Sequence, residues 1–169
     1  MELKEVLLKR RSVRKFTDEP VSKALVDELM HAAMSGPSAC NKQPWAFYVV
    51  TNGEKIAQLR TATHFSKITA PMAIVVCGDL SKALPLQLKD YWIQDCSAAT
   101  ENILLMATDL GLGAVWCGIY LQKRGEKKVA EILGLSDKLI PLNIIWVGHP
   151  AAEPEPGDWY KENRVHYVE

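Results

Sequence analysis

Leu3, Val6 and Leu7 recur at helical spacing, so residues 2–9 are predicted to form a short amphipathic helix that runs into the charged segment Arg10-Arg11-Ser12-Val13-Arg14-Lys15-Phe16. Beyond Pro20, Ser22 suits the N-cap of a second helix with Leu25, Leu29 and Ala32 inward, and Gly36-Pro37 supplies its stop. A loop from Ser38 to Pro44 precedes the aromatic and β-branched run Trp45 to Val50, which reads as a strand closed by Thr51-Asn52-Gly53. Residues 54–61 read as a helix. Met72 to Cys77 is apolar at every position, the pattern of a strand covered on both faces in the middle of a sheet. From Asp90 to Leu110, Trp92, Cys96, Ala99, Ile103, Met106 and Leu110 alternate three and four apart, which predicts a central helix about 31 Å long. Gly111 and Gly113 are expected to end it. Ala114 to Tyr120 then reads as a strand, 124–133 as a helix and Leu142 to Gly148 as a last core strand. Pro150, Pro154, Pro156 and Gly157 predict a tail, 150–169, that runs extended over a surface.

Strands and helices alternate without a repeat or an interdomain linker, so residues 1–169 are expected to form a single α/β or α+β domain. The apolar fraction is 48% and charged residues are 24%, a composition that supports a hydrophobic core without disulfide or metal staples. Basic and acidic residues both number 20, so no global field draws the chain to nucleic acid or an anionic membrane, and any anion site must be local. No uncharged run is long enough to span a membrane. The start, Met1-Glu2-Leu3-Lys4-Glu5, mixes both charge signs, unlike a secretory signal, and a cytoplasmic location is expected. Cys40, Cys77, Cys96 and Cys117 are far apart and form no metal-ligand pattern, so reduced thiols and no metal site are expected.

The chain has no glycine-rich dinucleotide loop in strand-to-helix context: Gly111-Leu112-Gly113 follows a helix instead. It also lacks a P-loop, a nucleophile elbow and a zinc-protease helix motif, which leaves the chemistry to a bound cofactor. Three clusters carry the positive signal. In Arg10-Arg11-Ser12-Val13-Arg14, guanidinium groups and a hydroxyl near a helix end can converge on one phosphate, although the same residues also suit a solvated basic turn. The loop Gly36-Pro37-Ser38-Ala39-Cys40-Asn41-Lys42-Gln43-Pro44-Trp45 offers Asn41 and Gln43, which both donate and accept, as the uracil-like edge of a flavin requires; an ordinary polar loop is the other reading. In Val115-Trp116-Cys117-Gly118-Ile119-Tyr120, Gly118 allows close approach of backbone to a planar ring, or marks a bulge.

Taken in this order, with Ala70-Pro71 before Ala73-Ile74-Val75-Val76, the helix beginning Asp95, and Gly148-His149-Pro150, these landmarks closely resemble the FMN-dependent nitroreductase family, particularly its short single-domain members. The resemblance implies an α+β three-layer sandwich with a mainly antiparallel central sheet flanked by helices, and a homodimer with FMN at each of two interface sites. It implies a flavin enzyme that takes reducing equivalents from NAD(P)H and passes them to a small organic acceptor by a ping-pong mechanism, with no catalytic side chain required. Arg10, Arg11, Ser12 and Arg14 would contact the phosphate and flavin. Pro37, Ser38, Asn41 and Gln43 would line the cofactor and its entrance, and the backbone of Cys117 and Gly118 would face the ring. Lys67 matches a flavin-contacting lysine of longer members. The tail departs from the family, with Gly157-Asp158-Trp159 before Tyr160 where a basic residue is usual, and Lys161 or Arg164 is the expected substitute.

Overall fold

The computed structural model describes residues 1–169. Its element order is α1 (Leu3–Lys9), α2 (Lys23–Met34), β1 (Trp45–Val50), α3 (Gly53–Leu59), β2 (Met72–Asp79), α4 (Tyr91–Asp109), β3 (Gly113–Gly118), α5 (Lys123–Leu133) and β4 (Leu139–Gly148). The four strands form one sheet in the order β1-β2-β4-β3, and every neighbouring pair is antiparallel.

Alternation along the strands divides the core into two. Met72, Ile74 and Val76 of β2 join Ile145 and Val147 of β4 on one face, against Leu29 and Ala33 of α2 and the buried side of α4. Ala73, Val75 and Cys77, with Ile144 and Trp146, face the other way onto Ile56 and Leu59 of α3 and Val129 and Ile132 of α5. The result is a three-layer α+β sandwich, and the unbroken apolar run of β2 is explained by its central place with helices on both faces.

Ser22 caps α2, its hydroxyl accepting from the Leu25 N–H at 3.4 Å. In α4 the buried stripe is wider than the predicted one: Asp95, Thr100, Leu104 and Ala107 are buried, while Met106 and Leu110 are only half-buried. The helix packs against α2 as well as the sheet, so more of its circumference is covered. Gly113, expected to end that helix, is instead the first residue of β3, which finishes at Gly118 instead of Tyr120. β4 begins three residues earlier than expected, at Leu139, and its pairing with β2 shifts between Val76 and Cys77, leaving Leu142 as the extra residue of a bulge. On α1 only Val6 is buried, and Leu3, Leu7 and Leu8 remain exposed.

Candidate functional site

Strand β3 lies at one edge of the sheet, and the segment after α1 covers the first part of that edge. Ser12 forms a parallel bridge with Ala114, and the Val13 N–H donates to the Ala114 carbonyl at 3.0 Å. Gly113 permits this approach, because a Cβ there would stand 2.7 Å from Cγ1 of Val13. Since the Ala114 carbonyl points outward, strand alternation turns the peptide groups of Trp116 and Gly118 outward too, and those of Val115 and Cys117 toward β4. The Gly118 carbonyl accepts from Nε2 of Gln122 at 2.7 Å, and a Cβ on Gly118 would meet nothing within 4 Å. At the end of β3 the Gly118 N–H therefore points outward, with open space where a side chain would stand.

Two cations without a carboxylate partner, Arg14 and Lys67, lie toward the same edge of β3. Arg14 is exposed, donates only to the Ser12 carbonyl at 3.3 Å and has no carboxylate partner. Cys117 donates its thiol hydrogen to the Phe65 carbonyl at 3.2 Å, which fastens the 3-10 turn His64–Ser66 to β3 and brings the next residue, Lys67, to the same strand end. Burial raises the Cys117 pKa, opposed by the Arg14 guanidinium and by the Trp146 indole N–H. Ser12, Arg14, Lys67, Cys117 and Gly118 are thus gathered along one edge.

The other predicted residues lie elsewhere. Nε of Arg10 faces Oε1 of Glu101 on α4 at 3.5 Å. The Arg11 guanidinium sits 5.1 Å above the Trp159 ring, where the Gly157 N–H holds the tail to the Leu8 carbonyl at 3.1 Å. Arg164 is in an exposed 3-10 turn, Glu162–Arg164, within that tail. Pro37, Ser38, Asn41 and Gln43 precede β1, at the opposite edge of the sheet. With β2 and β4 between, three strand spacings separate the two edges, about 14 Å.

The loop before β1 is tightly held. Buried Asp95 accepts from the Ala39 N–H at 2.8 Å, the Ser38 hydroxyl accepts from the Gln43 N–H at 2.9 Å, and Nε2 of Gln43 donates to Oδ1 of Asn41 at 3.1 Å. Cys40, Asn41 and Gln43 have φ of 50°, 53° and 48°, in the left-handed region that side chains disfavour. Such conformations persist where surrounding bonds over-determine them, and they concentrate at ligand-binding loops.

Beside Gly118 a cleft of about 790 Å³ opens between α3 and α5, lined by Arg60, His64, Lys67, Gln122, Arg124 and Lys128 among others. The sequence carried a trace of it, since Arg124 and Lys128 are four apart on one helix face. Their meeting with Arg60 and Lys67 depends on the packing of α3 against α5.

Known proteins share this architecture. A family model described as the nitroreductase family matches residues 7–67 and 61–149. A protein of Methanothermobacter thermautotrophicus, provisionally named NADH dehydrogenase/NAD(P)H nitroreductase, is 38% identical over 168 residues, 98% of this chain and 86% of the relative. An FMN-dependent nitroreductase of Clostridium difficile superposes with a TM-score of 0.85 at 32% identity, over 97% of this chain and 98% of that one. A provisionally named nitroreductase of Desulfovibrio desulfuricans, solved in complex with FMN, superposes with a TM-score of 0.83 at 29% identity, over 100% of this chain and 97% of the other.

Proposed function

Because the chain belongs to the nitroreductase family, we propose that it is an FMN-dependent oxidoreductase that passes reducing equivalents from NAD(P)H to a small organic acceptor such as a nitroaromatic or a quinone. The observation that carries this reading is the donor set at the edge of β3. Arg14 and the Ser12 hydroxyl suit a phosphomonoester, and the open peptide of Gly118 beside Lys67 suits a flat, hydrogen-bonding ring.

Bound FMN would supply the two-electron chemistry, taking hydride from the dihydronicotinamide and giving two electrons to the acceptor. The chain's own part is to bind and orient. Arg14 and Ser12 hold the phosphate. The outward N–H of Gly118 donates to the ring, and Lys67 places positive charge where the ring gains electrons. No side chain is needed as a catalytic acid or base. With no separate dinucleotide fold in the chain, donor and acceptor use the same face of the ring in turn, which gives ping-pong kinetics.

Asn41, Gln43, Pro37 and Ser38 reach the same ring only from a second copy, because within one chain they lie across the sheet from Gly118. The reading therefore includes a homodimer with two equivalent sites. Exposed Leu3, Leu7 and Leu8 on α1 and Trp159, Tyr160 and Tyr167 in the tail are apolar surface that a partner would cover. The four cysteines form no disulfide, as suits the reducing cytoplasm. No helix is long and apolar enough to cross a membrane.

A visible spectrum of the purified protein, recorded before and after anaerobic addition of NADH or NADPH, tests this function. The expected result is an oxidised flavin spectrum that bleaches with nicotinamide. A flavin that stays oxidised with both donors would reduce the protein to a binding module. Light scattering that finds a monomer with full FMN occupancy would remove the shared-site model.

A further inference from the structure

The chain carries 20 basic and 20 acidic residues, yet the cleft between α3 and α5 is lined by Arg60, His64, Lys67, Lys123, Arg124 and Lys128 with no carboxylate among its lining residues. Part of this charge is already engaged. Lys123 pairs with Glu126 at 3.0 Å, and Lys128 donates to the Thr61 carbonyl at 3.1 Å. Arg60 and Arg124 have no acidic partner, and Nε of Arg60 is buried without any hydrogen bond. Two guanidinium groups without a carboxylate partner, in a cleft whose lining holds no acid, leave an anion as the complement of its charge. The first turn of α5 adds its unpaired N–H groups, since Gln122 makes no side-chain cap there.

The cleft also adjoins the flavin edge. Gln122, one of its walls, holds the Gly118 carbonyl, and Lys67 lines both. A nicotinamide stacked on the ring at Gly118 would leave the charged remainder of the donor beside these arginines. Lacking a glycine-rich dinucleotide loop, the chain must hold that remainder with side chains. NADPH differs from NADH by one phosphomonoester, and two unpaired guanidinium groups match such a dianion in charge and fork geometry.

Resting on the flavin oxidoreductase reading above, we propose that this cleft binds the adenosine 2′-phosphate of NADPH through Arg60 and Arg124, with its diphosphate alongside, and so makes NADPH the preferred donor. In the step served, the dihydronicotinamide gives one hydride, hence two electrons, to the flavin and leaves as the oxidised cationic nicotinamide.

The test uses the FMN-loaded full chain and its Arg60→Met/Arg124→Ala variant, with Arg124→Ala alone as a surface change that spares the fold. Anaerobic flavin bleaching is followed with NADPH, NADH and 1-benzyl-1,4-dihydronicotinamide, which carries no phosphate. Binding of 2′-phospho-ADP-ribose and of ADP-ribose is measured by calorimetry. The wild type is expected to favour NADPH by about tenfold or more, a preference that both variants lower while bleaching by the benzyl donor is unchanged. Calorimetry should show the same selective loss for the 2′-phosphorylated ligand. Equal use of NADH and NADPH by the wild type, or an equal loss with the benzyl donor, would overturn the assignment. Failure of all three donors to bleach the flavin would instead refute the enzyme reading, and the calorimetry would then decide the cleft by itself.

Discussion

The thiol of Cys117 donates to the main-chain carbonyl of Phe65 at 3.2 Å, so the last turn before Lys67 is tied to the outer strand of the sheet. The bond requires a protonated sulfur. Burial keeps it so by raising the Cys117 pKa, which outweighs the opposing effects of Arg14 and Trp146. Burial pushes Cys77 up to about 12 and raises Cys96 as well, whereas Cys40 is exposed. Reaction of the native protein with a disulfide reagent at roughly pH 8 is therefore expected to consume one thiol quickly, and Cys40→Ser should abolish that phase. Rapid labelling of Cys117 in the folded protein would contradict the bond to Phe65.

The same shifts predict alkaline lability. A thiol whose pKa is raised by folding keeps its stabilising contribution below the unfolded value and loses it as pH climbs toward the folded one. For Cys77 that window runs from the ordinary 9.0 to about 12. Urea midpoints should fall across this range, and Cys77→Ala should fall less steeply while starting from lower stability because of the cavity it leaves. Parallel curves for the two proteins would show that Cys77 stays protonated for another reason.

Gly78 in β2 lies directly beneath Trp92 of α4, where a Cβ would come within 2.2 Å of the indole. Trp92 is also locked edge-on against Tyr120, with ring centroids 5.0 Å apart. Gly78→Ala must displace one of the largest buried side chains, and overpacking of this kind costs about 1–3 kcal/mol. Chemical denaturation with tryptophan fluorescence checks both the loss and the changed indole environment. An unchanged midpoint would mean that the α4–sheet contact is looser than the structure has it.

Elements built on local periodicity were legible in the sequence. The bounds of β1 are those of its aromatic and β-branched run, and the all-apolar β2 is central as its composition requires. Features that depend on distant residues were not. Gly113 resembles a helix stop, yet its role is to admit Val13 against β3, 100 positions away in the chain. The bulge at Leu142 reflects pairing with β2. The candidate site was legible as three clusters but not as an arrangement. Nothing local tells that Ser12, Arg14 and Gly118 share one sheet edge while Asn41 and Gln43 occupy the other, or that Arg10 and Arg11 turn to Glu101 and Trp159.

That division of the arginines gives the sharpest test of the phosphate assignment. Arg14 is exposed and has no acidic partner, so Arg14→Ala removes little from the fold. Against FMN it deletes a charge-assisted hydrogen bond of about 1.5–3 kcal/mol, or about 10- to 150-fold in dissociation constant. Arg11→Ala should act differently, loosening the tail by removing the guanidinium from the Trp159 ring, with a smaller effect on FMN. Lys15→Ala supplies a third comparison, since Lys15 follows Arg14 in an extended segment and alternation turns it the other way. Riboflavin separates phosphate from ring, because it lacks the phosphate and keeps the isoalloxazine. Fluorescence titration of the apoprotein is expected to show a large Arg14→Ala penalty for FMN and a small one for riboflavin. Equal penalties would assign Arg14 to the ring. The phosphate would then fall to Arg10, after release from Glu101, or to Lys161 and Arg164 of the tail, and the same titration on Arg10→Ala and Arg164→Ala would tell which.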